Sequence, residues 1–200
     1  MDIRHMVGMA RYNLRMQSII WSALLALAMF MTVMNSKASA DDTVRYERVL
    51  AIGGAVTEIV YALGEQDRLI GRDSTSTWPA EATELPDVGY MRALSPEGVL
   101  SVKPDLILAR ENSGPAEAIE VLKGAGVNWV DVPDNFTVQG IDDNIRIIAQ
   151  ALGVEDKGDA LRAEVREELD GAAAQIAAVT DPKRAMFILS MRDNRVMASG

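Results

Sequence analysis

Apolar residues along this chain come alternately in short unbroken runs and in helical stripes. Arg48-Val49-Leu50-Ala51-Ile52 is a run closed by Gly53-Gly54, which predicts a buried strand. Val56, Ile59, Val60 and Leu63 then share one helical face, and Gly64 follows as a stop, so a helix is expected over Ala55–Leu63. Arg68-Leu69-Ile70-Gly71 reads as the next strand. Ser95-Pro96-Glu97 opens a short helix to Val102, with Ser95 as N-cap and Pro96 at the first helical position. Lys103-Pro104-Asp105 leads into a strand Leu106–Ala109. Ser113-Gly114-Pro115 starts a helix that carries Ala116, Ile119 and Leu122 inward and ends at Gly124 and Gly126. A strand Val127–Val132, the turn Pro133-Asp134-Asn135, and a helix with Ile141, Ile145, Ile148 and Leu152 at helical spacing complete the series. Strands alternating with helices predict an α/β protein with a parallel sheet.

The pattern changes after Asp156. Leu161, Val165, Leu169, Ala172 and Ile176 form one long stripe to about Val179, charges fill the other faces, and Asp181-Pro182 ends it. Arg166 and Asp170 stand i,i+4 and are expected to pair. Such a helix is roughly 35 Å long at 1.5 Å per residue. It suits a spine between lobes better than a coiled-coil arm, which needs more heptads. Ala185–Ser190 and Arg195–Ala198 read as two further strands.

The first forty residues differ from the rest. Arg4, Arg11 and Arg15 precede an apolar stretch Ile19–Val33, and Ala38-Ser39-Ala40 is a small-x-small cleavage site. This is the pattern of a secretory signal peptide. The apolar stretch is shorter than the roughly twenty residues that span a bilayer. Cleavage before Asp41 and export to the periplasm are expected, with no membrane insertion afterwards.

The net charge of −9 understates the acidity of the exported part, because the first forty residues carry +3 and the remainder −12. Nucleic acid and anionic membrane surfaces reward basic patches, so neither is expected as a partner. The sequence has no cysteine, which excludes a disulfide scaffold, a thiolate metal site and a lipid-anchored cysteine within it. The single histidine, His5, falls in the targeting segment. Histidine-based zinc or manganese sites and Ser-His-Asp triads are therefore not expected.

The candidate chemistry lies in Leu85–Glu97. Pro86, Gly89 and Pro96 mark a loop, and Tyr90 and Arg92 project from its middle. A phenol and a guanidinium two residues apart suit a flat, anionic, metal-bearing ligand; a surface tyrosine beside a solvated arginine is the plain alternative. Gly53-Gly54 lacks the spacing of a Rossmann or P-loop glycine motif. Close backbone approach is the better reading, with amides and Thr57 lining a cleft. In Asp73-Ser74-Thr75-Ser76-Thr77-Trp78-Pro79 the hydroxyls suit either ligand contact or turn chemistry. Arg110 ends its strand, and open parallel sheets bind ligands beyond the carboxyl ends of strands.

Three runs carry a resemblance: Gly53-Gly54-Ala55-Val56-Thr57-Glu58-Ile59-Val60-Tyr61-Ala62-Leu63-Gly64, Asp87-Val88-Gly89-Tyr90-Met91-Arg92, and Lys103-Pro104-Asp105-Leu106-Ile107-Leu108. Nearly all of Arg48–Gly200 resembles the haem-binding branch of the periplasmic substrate-binding proteins of ABC importers. The Lys-Pro-Asp strand entry is shared with cobalamin and iron-siderophore binders, whereas Gly-Tyr-Met-Arg followed by Leu94-Ser95 and Glu97-Gly98 is similar to the haem subgroup.

The resemblance implies a two-lobed α/β periplasmic-binding-protein fold with a single long linker helix. Residues 1–40 would be signal peptide, 41–153 the N-terminal lobe, 154–181 the linker, and 182–200 the start of a second lobe. Two strands do not make a lobe, so only the first lobe is expected to be complete. The resemblance also implies a non-enzymatic carrier that captures ferric haem and hands it to a permease dimer with its ATPase.

By the same resemblance Tyr90 is the axial iron ligand, a role open to a tyrosine in a mature chain without histidine. Arg92 would stabilise the phenolate or hold a propionate, and Met91, Arg110 and Met191 would contact haem. Glu97 would be the first-lobe acid that docks on the permease, although a glutamate at a helix start also favours the helix dipole. A cobalamin or iron-siderophore carrier of the same fold is the alternative. A periplasmic hydrolase ranks below both, since no nucleophile–base pair has recognisable spacing.

Overall fold

The computed structural model describes residues 45–181, 183–192 and 195–199, so the expected signal segment lies outside the described residues. Four strands, β1 (Val49–Ile52), β2 (Leu69–Arg72), β3 (Leu106–Arg110) and β4 (Asn128–Val132), form an all-parallel sheet in the order β2-β1-β3-β4. Its helices are α1 (Gly54–Ala62), α2 (Pro96–Ser101), α3 (Ala116–Gly124), α4 (Val138–Leu152) and the 23-residue α5 (Glu155–Ala177). β5 (Phe187–Arg192) and β6 (Arg195–Ser199) pair antiparallel in a separate two-stranded sheet.

Side chains on a strand alternate between faces, and the central strands are apolar on both. Val49, Ala51, Leu106 and Leu108 pack with Val56, Val60, Ile148 and Leu152 of α1 and α4. Leu50, Ile52, Ile107 and Ala109 pack on the opposite side with Val99 of α2 and Leu122 of α3. The result is a three-layer α/β/α arrangement, the fold class expected from the sequence. Each fully buried Leu or Ile contributes about 1.5–3 kcal/mol of transfer free energy.

Element boundaries match the sequence reading to within one or two residues, but some faces do not. On α3 the buried positions are Ala118 and Leu122, and Ala116 is exposed. The sheet covers only a narrow strip of this nine-residue helix. Ile141, at the start of α4, is also exposed in part. Arg166 does not bond Asp170. Its Nη2 donates to Asp142 Oδ1 at 2.8 Å, while Arg162 Nη2 donates to Asp142 Oδ2 at 2.7 Å. Asp142 lies on the buried face of α4, so a deep carboxylate outcompetes an exposed one for the guanidinium. The Arg162 hydrogen bond, working against burial and aided by both positive charges, holds the Asp142 carboxyl below the usual carboxylate range.

These bonds clamp the first three turns of α5 onto α4, and beyond Leu169 the stripe residues Ala172 and Ile176 are exposed. At the α4–α5 crossing, a methyl group added at Gly158 would collide with Ala149 Cβ, whereas one at Gly171 meets nothing within 4 Å. Gly158→Ala is therefore expected to destabilise by about 1–2 kcal/mol, overpacking outweighing the helix-propensity gain. Gly171→Ala should stabilise by about 0.5–1 kcal/mol. Urea unfolding of the two variants checks the opposite signs.

Candidate functional site

All four parallel strands deliver their carboxyl ends to one edge, the place where open α/β sheets bind ligands. Gly53 follows β1, Asp73 follows β2, Arg110 ends β3, and Asp134 lies two residues beyond β4. Asp73 is fully buried and joins two of these turns. Its Oδ1 accepts from the Gly53 amide at 2.9 Å and from Ser76 Oγ at 2.7 Å. Its Oδ2 accepts from the Thr75 amide at 2.9 Å and from Thr75 Oγ1 at 2.6 Å. Thr57 Oγ1 of α1 donates to Ser76 Oγ at 2.8 Å, extending the network into the helix. Burial pushes the Asp73 carboxyl up, but hydrogen bonds from Thr75, Ser76 and Gly53 outweigh it and hold the pKa below its ordinary value.

The tyrosine loop hangs from the same strand end. Arg72 and Asp87 form an isolated parallel bridge, in which the Arg72 amide donates to Pro86 O and the Val88 amide to Arg72 O, each at 2.9 Å. The Ser74 amide then donates to Gly89 O at 2.9 Å. Gly89 has φ +104°, a conformation that favours glycine, and its amide bonds Asp87 Oδ1 at 2.8 Å. Beyond it, Val88, Met91 and Leu94 are buried in the core, while Tyr90 is 46 % exposed and Arg92 is also exposed. A turn from Ala93 N to Tyr90 O at 2.7 Å closes the loop. Paired bonds with Gly114, each 2.9 Å, tie it to the segment after β3. The phenol is thus held outward between buried anchors on either side.

Arg110 is gripped from several directions. Its Nε donates to Asp134 Oδ1 at 2.7 Å, Nη2 bonds the same oxygen, and Asn112 Nδ2 bonds Asp134 Oδ2. Its guanidinium lies 5.4 Å from the centroid of Phe136, and a side chain on Gly53 would press on its stem. Burial raises the Asp134 pKa, but the Asn112 and Arg110 hydrogen bonds and the charges of Arg110 and Arg92 hold it below the ordinary carboxylate range. A cavity of about 360 Å³ opens here, lined by Ala55, Ile59, Arg110, Asp134, Phe136 and Ile141. A neighbouring groove of about 650 Å³ runs between α1, Trp78, α4 and α5. Among the described residues, no cluster of three or more carboxylates or histidines could hold a bare metal ion.

The structure brings Tyr90, Arg92 and Arg110 to one edge, and it corrects other expectations. Met91 is 5 % exposed and packs with Leu50, Val88 and Leu94, its Sδ 3.9 Å from Thr75 Oγ1. It is a buried anchor of the loop and presents little surface, because the loop's turn sends residues 90 and 92 outward and residue 91 inward. Thr57 is fully buried and lines no cleft. The hydroxyls of Thr75 and Ser76 serve turn chemistry around Asp73. What approaches Gly53 closely is the Arg110 stem. Glu97 is exposed in the first turn of α2, where Ser95 Oγ caps by accepting from the Gly98 amide at 3.1 Å. Met191 lies on β5, and its side chain is outside the described residues. Sequence reasoning gave no role to Asp73 or Asp134. An aspartate followed by Ser-Thr-Ser is the one signal that an Asx-type turn would have offered.

Residues 49–199 match the periplasmic binding protein family, and the chain belongs to that family. It is 30 % identical over 86 % of its length to the uncharacterised ABC transporter substrate-binding lipoprotein YvrC of Bacillus subtilis, covering 56 % of that protein. It is 33 % identical over 64 % of its length to a vitamin B12-binding protein of Vibrio parahaemolyticus, covering 46 % of it. Among solved structures it superposes on the apo periplasmic heme-binding protein RhuT from Roseiflexus sp. RS-1 with a TM-score of 0.73 and 34 % identity, over 76 % of this chain and 59 % of that one. The periplasmic heme-binding protein BhuT in complex with two hemes gives a TM-score of 0.72 and 39 % identity, over 76 % and 60 %. The chain thus spans between about half and three-fifths of the length of these relatives.

Replacing Asp73 by Asn would turn an amide donor toward a ring of donors, at a cost of about 2–4 kcal/mol. A carboxyl with a depressed folded pKa stabilises fully above its unfolded value, about 3.9, and the stabilisation is lost as pH falls through the folded pKa. The stability gap between wild type and Asp73→Asn should be constant above about pH 5 and shrink below about pH 4. Urea unfolding across that range checks both statements.

Proposed function

We propose that this chain supplies the haem-binding wall of a periplasmic carrier that captures ferric haem and delivers it to an ABC importer. One observation carries the reading: a half-exposed phenol, Tyr90, held outward between buried anchors at the carboxyl edge of the sheet, with the Arg92 guanidinium two residues away. The phenolate oxygen of Tyr90 would bond ferric iron, since a hard oxygen donor suits that ion. Arg92, which makes no ion pair among the described residues, would neutralise the phenolate or a propionate. Arg110 and Phe136 would border the macrocycle. Burying about 300 Å² of porphyrin at roughly 25 cal/mol per Å² supplies about 7 kcal/mol before ordering costs. The heme-binding proteins among the solved relatives support this ligand class.

The remaining assignments belong to the same reading. Residues 1–40 would be a cleaved signal peptide, 41–153 the first lobe, 154–181 a linker helix that includes α5, and 182–200 the start of a second lobe. Met191 would sit on the facing wall, and Glu97 would dock on the permease. A corrinoid carrier is the second reading, favoured by the vitamin B12-binding relative.

Titration of the whole protein with hemin, cyanocobalamin and a ferric siderophore separates the readings. The expected result is a shifted Soret band with a tyrosinate-type charge-transfer band for hemin alone. Tyr90→Phe should abolish the charge-transfer band and weaken hemin binding at least tenfold. Saturable binding of cyanocobalamin without hemin binding would overturn the proposal in favour of the second reading.

A further inference from the structure

The cations at this edge are not equivalent, and a carboxylate makes them differ. Arg110 gives Asp134 two of its nitrogens, rests against Phe136, and runs its stem over Gly53 so closely that a β-carbon there would be crowded. Asp134 is itself locked: its second oxygen takes Asn112, and its amide donates to Glu111 Oε2 at 3.3 Å. Its side chain is 11 % exposed, so water screens the pair weakly. Arg92 stands close enough for its charge to act on Asp134, yet forms no ion pair among the described residues.

We propose that Asp134 is a specificity-determining residue: by occupying Arg110 it leaves Arg92 as the cation beside Tyr90 that, among the described residues, has no ion-pair partner. This wall then takes a single anionic group of a ligand and disfavours a second. The proposal rests on the haem reading for its ligand class, a flat molecule with carboxylate arms, and adds a limit on the charge this wall tolerates. A carboxylate arriving at Arg110 finds the Asp134 charge already bonded to it, and like charges in a partly buried site repel strongly. An incoming arm therefore goes to Arg92, and the second arm is directed away from the β3–β4 end toward solvent or another wall.

Asp134→Asn in the whole protein keeps the shape and an acceptor for Arg110 while removing the charge. Ferric protoporphyrin IX, with both propionates free, should bind the variant about tenfold more tightly than wild type. The dimethyl ester of the same porphyrin should bind both proteins equally. Unchanged affinity for the free acid, or an equal change for acid and ester, would overturn the proposal.

A second measurement does not depend on haem. Glutarate, a simple dicarboxylate, is titrated while the Arg110 Nε–H resonance is followed, with assignment from Arg110→Lys. The resonance should move at about tenfold lower glutarate in Asp134→Asn than in wild type; equal titrations in the two proteins overturn the inference. If neither protein binds ferric porphyrin, the haem reading fails and the glutarate comparison alone decides the role of Asp134. Asp134→Ser, which also removes the charge, repeats both titrations should the Asn variant unfold.

Discussion

The buried carboxylate of Asp73 is the constraint on which the carboxyl edge of the sheet depends. Four donors from two turns converge on its two oxygens, and Thr57 relays the network to α1. A buried charge is tolerable only when its lone pairs are satisfied, and this one is satisfied by backbone and hydroxyl donors rather than by a cation. The turn after β2 is thereby fixed relative to the turn after β1. Ser74, inside that turn, holds Gly89, and Gly89 precedes Tyr90. The position of an exposed phenol is thus inherited, through a few hydrogen bonds, from a carboxylate with no access to solvent.

Holding side chains in place on a loop works against the loop's own entropy. Here the loop is shortened in effect by its anchors. Val88, Met91 and Leu94 are buried in the same cluster as Leu50 and Ile107, and Gly114 pairs with the loop from the other side. Three apolar side chains inward and two polar ones, Tyr90 and Arg92, outward is a division of labour that a seven-residue segment can hold without a helix or strand. The same logic applies to Arg110, whose guanidinium is held in place by Asp134 and Phe136.

Much of this was legible in the sequence because it depends on local spacing. The unbroken runs of β1 and β3 and the Ile145–Ile148–Leu152 stripe specify elements that bury themselves in the expected way. The Ser95-Pro96 helix start and the placement of Tyr90 and Arg92 on a loop were equally readable. What was not legible depends on partners distant in the chain. Nothing near Arg166 announces that Asp142, on another helix, is a deeper acceptor than Asp170. Met91 sits between two outward residues, and only the turn geometry shows that it faces the core. Asp134 lies in an ordinary Pro-Asp-Asn turn, and its pairing with Arg110 spans 24 residues.

The haem reading concerns one bond, between the Tyr90 oxygen and ferric iron. Resonance Raman spectroscopy of the ferric-haem complex of the whole protein, excited in the charge-transfer band and compared with a sample carrying ring-labelled tyrosine, observes that bond directly. Enhanced phenolate modes that shift with the label and vanish in Tyr90→Phe are the expected result. A haem complex without phenolate modes, or one whose modes persist in the variant, would contradict it.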